Sequence, residues 1–80
     1  MTATIYELID NSGIDCEPYF LAVAAAYGGV SYAEAVEQVH EDEDMKAVYD
    51  SLYKVVKDNY SQVEFEEALE SIIKPKHYPL

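Results

Sequence analysis

The sequence predicts an all-α fold, a compact bundle of four to five short helices with a helix-turn-helix-like corner. Three observations carry this expectation. Apolar residues recur at i, i+3, i+4 and i+7 along most of the chain, the period of a helix with one buried face. Helix-start spacings stand ahead of those stretches, with Thr4 three residues before Glu7, Ser31 before Glu34 and Ser61 before Glu64. Nowhere does the chain show the strict alternation that marks a half-buried strand.

The first helix is expected over 4–11, with Ile5, Leu8 and Ile9 on one face and Gly13 free to take the left-handed position after its end. The second begins near 15–18, where Pro18 is tolerated because a first-turn N–H has no helical partner. Its body, 19–27, is apolar on all sides, the mark of a central helix packed on several faces. Gly28 and Gly29 then make a turn. Ser31 opens a third helix, with Val30 set to pack on Ala35 and with Tyr32, Ala35, Val36 and Val39 on its inner face. The run HEDED, 40–44, interrupts the apolar pattern. A fourth helix follows, with Met45, Val48, Tyr49, Leu52 and Val56 at helical spacing. The fifth starts at Ser61, stapled by Tyr60 against Phe65, buries Phe65, Ala68, Leu69, Ile72 and Ile73, and stops at Pro75. Residues 75–80 form a short tail to a single domain over 1–80.

Charge is the strongest compositional signal. Sixteen acidic residues face five lysines and no arginine, for a net charge of −11. Residues 1–45 hold ten of the acids and no base; all five lysines fall between Lys46 and Lys76. Such a field repels nucleic acid and anionic membrane and steers the protein toward basic surfaces. Solubility is the plainer reason for an acidic surface. The longest apolar run is about half of the ~20 residues a membrane span needs, and no basic region precedes an apolar stretch at the N-terminus. The one cysteine, Cys16, allows no internal disulfide and fits a reducing compartment. A cytoplasmic protein is expected.

Catalysis finds little support. A nucleophilic site needs Cys16 or a serine beside a histidine and an orienting acid, and His40 and His77 lie in no such motif. Gly28-Gly29 matches no phosphate-binding loop, and no cofactor motif is present. Asp42, Asp44 and Asp50 copy part of a calcium loop, but Ala47 stands where that loop requires glycine and Tyr53 where it requires glutamate. The expectation is no enzyme, no cofactor and no metal.

The helix-turn-helix cadence of 27–39 invites a DNA-reading role, which needs cations on the recognition helix. The outward positions there are Ala33, Glu34, Glu37, Gln38 and Glu41. Carboxylates pressed against a groove wall of phosphates are unfavourable, so a degenerate helix-turn-helix regulator is only a third alternative. Glu34, Glu37 and Glu41 fall close to one stripe. Their span of roughly 10 Å matches about three base steps of a DNA strand at 3.4 Å each. Asp42, Glu43 and Asp44 extend the charge. Read as the C-terminal end of the third helix, they oppose its dipole, so stability is a poor explanation for them. Eight tyrosines add amphipathic contact area, with Tyr32, Tyr53 and Tyr78 expected at the surface.

In size, in its −11 charge, in its lack of arginine and in the VEQVHEDED stretch, the chain resembles small acidic inhibitors of host defence from phages and mobile elements. Anti-CRISPR and antirestriction DNA mimics belong to that class. The resemblance implies a non-catalytic inhibitor that occludes a basic nucleic-acid-binding surface of a defence complex, a CRISPR-Cas or restriction component, without binding nucleic acid or membrane itself. It would act in the host cytoplasm as a monomer or small homo-oligomer. Glu34, Glu37, Glu41, Asp42, Glu43 and Asp44 would face the basic groove, with Tyr32 and Tyr53 adding hold. The alternative from another class is a structural or adaptor domain that pairs with another protein or with itself.

Overall fold

Four of the five described helices start where a side chain accepts one or two of their first N–H groups. The computed structural model describes residues 3–76, and among these it is all-α, with five helices and a closing 3-10 turn. Helix α1 spans Ile5–Asp10. Thr4, extended at φ −71° and ψ 159°, accepts the Glu7 N–H at 3.2 Å. Ile5 and Ile9, one turn apart, go into the core. Gly13 takes φ +76°, the left-handed conformation open to glycine. Beside it the Ser12 hydroxyl donates to the Ile9 carbonyl at 2.7 Å and accepts from the Ile14 N–H at 3.2 Å.

Helix α2, Glu17–Tyr27, has Pro18 in its first turn and no side-chain cap. It packs on α3, α4, α5 and the closing turn, as a helix apolar on every face should. Yet Leu21 and Ala25 remain exposed, so one stripe of α2 still faces water. The corner that follows is built without left-handed backbone: Gly28 sits at φ −63° and ψ −23°, and Gly13 is the only described residue at positive φ.

Helix α3, Tyr32–Val39, is capped by Ser31, which accepts the Glu34 N–H at 3.3 Å. It rests chiefly on α2, with Ala35 fully buried in the core and Val30 half-buried against that core. Helix α4 spans Glu43–Val56 and so begins two residues earlier than the apolar periodicity alone implies. Helix α5, Gln62–Ile73, carries the complete reciprocal box: the Glu64 N–H reaches Ser61 Oγ at 3.2 Å and the Ser61 N–H reaches Glu64 Oε1 at 3.0 Å. Its α-helical part stops at Ile73, and Pro75 lies within the 3-10 turn Lys74–Lys76. Tyr60 ties the turn between α4 and α5 to the start of the chain, its hydroxyl donating to the Ala3 carbonyl at 2.7 Å. The expected tail lies mostly outside the described residues, and so does Tyr78.

All five helices contribute to one core. Tyr19, Val23, Leu52, Val56, Phe65 and Ile73 are fully buried in it, each such aliphatic or aromatic side chain contributing about 1.5–3 kcal/mol. Helix α1 closes the core against α4 and α5. Among the described residues no helix is long and apolar enough to cross a membrane.

Candidate functional site

With Ala35 buried and Tyr32, Val36 and Val39 half-buried, the opposite side of α3 must face water. Ala33, Glu34, Glu37, Gln38 and Glu41 are all exposed there, as are Asp42, Glu43 and Asp44 beyond it. Among the described residues the ion pairs are Lys74–Glu70 and Lys76–Glu17. Neither involves these six carboxylates. Acids at i, i+3 and i+7 with no ion-pair partner repel one another by a few tenths of a kcal/mol per neighbouring pair, so α3 carries a dense negative charge on its exposed side.

The second half of this run has a local explanation that the periodicity concealed. Asp42 is the N-cap of α4. Its Oδ1 accepts the Asp44 N–H at 2.9 Å and the Met45 N–H at 3.4 Å, while Glu43 and Asp44 occupy the first turn. Acids there face the positive end of a helix dipole and are stabilising. The sequence expectation that Asp42, Glu43 and Asp44 oppose the dipole at the end of α3 is therefore corrected. They terminate nothing; they start α4. Glu34, Glu37 and Glu41 receive no hydrogen bond to their side chains among the described residues; Glu34 stands in the first turn of α3, where its charge suits the helix dipole, and Glu37 and Glu41 have no comparable duty.

Tyr32 and Tyr53 are half-buried rather than exposed. The Tyr32 ring meets Tyr27 edge-on with centroids 6.1 Å apart, and the Lys74 ammonium lies 5.9 Å from its centre. Tyr53 packs on Phe65 at 5.4 Å in the α4–α5 interface, eleven residues and roughly 16 Å along α4 from Asp42. The six acids are thus all exposed, Glu34, Glu37 and Glu41 along α3 and just past its end and Asp42, Glu43 and Asp44 at the start of α4; Tyr32 starts α3, and Tyr53 lies remote from the corner. Among the described residues Tyr6 is the exposed large aromatic, at 47%.

Behind the acidic edge lies a polar aromatic cluster that sequence reasoning missed. The hydroxyl of the fully buried Tyr19 shares a 2.8 Å hydrogen bond with His40 Nε2. The His40 ring packs on Tyr49 at 4.7 Å. The Tyr49 hydroxyl donates to Glu66 Oε1 at 3.0 Å and lies 3.5 Å from Gln62 Nε2. Burial lowers the His40 pKa; Asp50 and Glu66 pull it up and Lys46 pushes it down, without reversing the shift. Burial also raises the hydroxyl pKa of Tyr19 and Tyr32, with carboxylates of α5 adding to it. These residues come from α2, the end of α3, α4 and α5, separated by up to 47 positions, so no local motif announces them. The one available signal was two polar-tipped aromatics, Tyr19 and Tyr49, on core faces, since a buried hydroxyl demands a partner.

A second, open cleft of about 550 Å³ lies between α1, the loop before α2 and the chain's closing turn. Glu7, Asp10, Asp15 and Glu17 rim it, and Lys76 crosses to Glu17 at 2.9 Å. Cys16 stands at its wall. Burial, and then Glu17, Asp15 and Asp10, push its thiol pKa upward, which keeps it protonated and a weak nucleophile at neutral pH. Among the described residues no group of three or more His, Cys, Asp or Glu side chains is arranged to hold a metal ion. What these surfaces offer is charge, acceptors and aromatic faces, the means of binding cations. Comparison with protein families, with curated proteins and with solved structures returns no match.

Proposed function

We propose that the protein is a small acidic inhibitor that occupies a basic nucleic-acid-binding surface of a host defence complex by occlusion, in the manner of the DNA mimics it resembles. The observation that supports this reading best is the α3 edge. Glu34, Glu37 and Glu41 are exposed, lie on one stripe and have no cationic partner among the described residues. A chain selected only for stability would gain by pairing or spacing these charges. A chain selected to meet lysines and arginines leaves them free. Fields of opposite sign would speed encounter and fix orientation, and the −11 net charge would repel nucleic acid itself.

The test is charge reversal at Glu37 and Glu41, which cap no helix. Affinity for the protein captured from a host lysate is measured for the parent chain and for Glu37→Lys/Glu41→Lys across a salt series. The reading expects a loss of about tenfold or more at low salt, shrinking as salt screens both proteins. Unchanged affinity at low salt rejects it. The adaptor alternative makes the opposite prediction: weak salt dependence, and sensitivity to polar substitution of the exposed Tyr6, Leu21 or Val63.

A further inference from the structure

Because α3 rests chiefly on α2, it stands off from α5 and leaves a recess of about 230 Å³ between them. Tyr19, Tyr32 and Tyr49 wall it from α2, α3 and α4; Glu66 and Glu70, one turn apart on α5, supply two carboxylates. Val36 and Leu69 add apolar lining, and Ala33 sits at the lip. The exposed Glu37 follows Ala33 by one turn on the same face of α3, so the recess adjoins the acidic edge. We propose that this recess is a socket for a single arginine side chain presented by the basic partner.

Three features select that ligand. All the polar groups of the recess are acceptors or hydroxyls, and its charges are both negative, which excludes phosphate and carboxylate ligands. Glu66 is oriented by the Tyr49 hydroxyl at 3.0 Å, so one acceptor is held in place before a ligand arrives. And the chain already seats a cation of its own at the rim. The Lys74 ammonium lies 5.7 Å from the centre of the Tyr27 ring and 5.9 Å from that of Tyr32, and it pairs with Glu70. The same ring and the same carboxylate can serve an incoming cation. Arginine fits better than lysine. Its planar fork can address Glu66 and Glu70 together and lie against tyrosine faces, and its charge is more easily dehydrated than an ammonium. The high hydroxyl pKa of Tyr32, raised by burial and then by Glu70 and Glu66, agrees with a negative potential inside the recess.

Where the arginine comes from rests on the proposed function; whether the socket takes a guanidinium does not. The experiment therefore uses the full chain and a small probe. N-acetyl-arginine methylamide is titrated into ¹⁵N-labelled protein and followed by amide shifts, with the uncharged citrulline counterpart alongside. Saturable shifts are expected at Tyr32, Val36, Glu66 and Glu70, with the citrulline probe weaker by about tenfold, as loss of charge-assisted hydrogen bonds implies. Glu66→Gln/Glu70→Gln, both on the outer part of α5, should weaken the arginine probe by a similar factor while the spectrum stays dispersed. Lys74→Gln should strengthen it, because the resident cation no longer competes. Equal response to both probes, non-saturating shifts scattered over every carboxylate, or no gain in Lys74→Gln overturns the socket. Glu37→Lys/Glu41→Lys should still bind the probe. Probe binding retained there together with undiminished partner affinity sinks the docking reading and leaves the socket standing.

Discussion

Replacing Asp42 by alanine separates the two duties of the acidic run. Asp42 Oδ1 accepts two N–H groups at the start of α4, one at a good 2.9 Å and one at a marginal 3.4 Å. Losing such a cap costs about 1 kcal/mol, within a range of about 0.5–2. Losing the negative charge beside the α4 N-terminus adds about 0.3 kcal/mol, the low end of the dipole effect for an exposed group. Relief of repulsion from Glu41, Glu43 and Asp44 returns a few tenths. The net expectation is about 1 kcal/mol, which for a domain of this size lowers Tm by about 4–8 °C. Asp42→Asn keeps a capping oxygen and loses only the charge, so it should stay within about 0.5 kcal/mol of the parent. Far-UV circular dichroism through thermal and urea unfolding measures both. If Asp42→Ala unfolds with the parent, or if Asp42→Asn falls as far as Asp42→Ala, the capping account of the HEDED run is wrong. The run would then be free to be explained by docking alone.

Two further predictions test the fold. Gly29 is not at positive φ and a methyl group there would meet nothing within 4 Å, so Gly29→Ala should stabilise by about 0.4–1 kcal/mol by narrowing the unfolded ensemble; a loss in urea unfolding would show that the corner needs glycine after all. His40 resists protonation in the folded chain, whereas the unfolded chain takes up that proton near the ordinary value of about 6.5. The unfolded state therefore binds more protons below that pH, and stability contributed by neutral His40 should fall as pH drops from about 6.5 toward the lower folded value. The difference in unfolding free energy between the parent and His40→Gln should shrink over that window, and a difference independent of pH would reject the buried-neutral assignment.

Most of the fold was legible because its determinants are local. Thr4, Ser31 and Ser61 cap helices where their spacing to a glutamate announces them, and the apolar stripes of α3 and α5 go to the core as their period requires. The start of α4 was misplaced because apolar periodicity begins at Met45, while the helix begins with the charged turn that Asp42 caps. Asp followed by two further acids ahead of an apolar stripe was the signal, and it points to an N-terminus. The acidic edge of α3 was legible for the same reason as its core face, since one fixes the other. Tyr32 and Tyr53 were not. A tyrosine at helical spacing serves core and surface equally, and only the tertiary positions of Tyr27 and Phe65 decide which. The His40–Tyr19–Tyr49–Glu66 cluster depends wholly on how α2, α4 and α5 converge behind α3.

Competition with duplex DNA tests the central claim most directly. The protein captured from a host lysate is titrated with labelled duplex at low salt, in the presence of increasing amounts of the parent chain. If the α3 edge occupies a nucleic-acid groove, the apparent Kd for DNA rises in proportion to chain concentration, and Glu37→Lys/Glu41→Lys raises it far less. A ternary complex, in which DNA affinity is unchanged while the chain stays bound, would contradict the account.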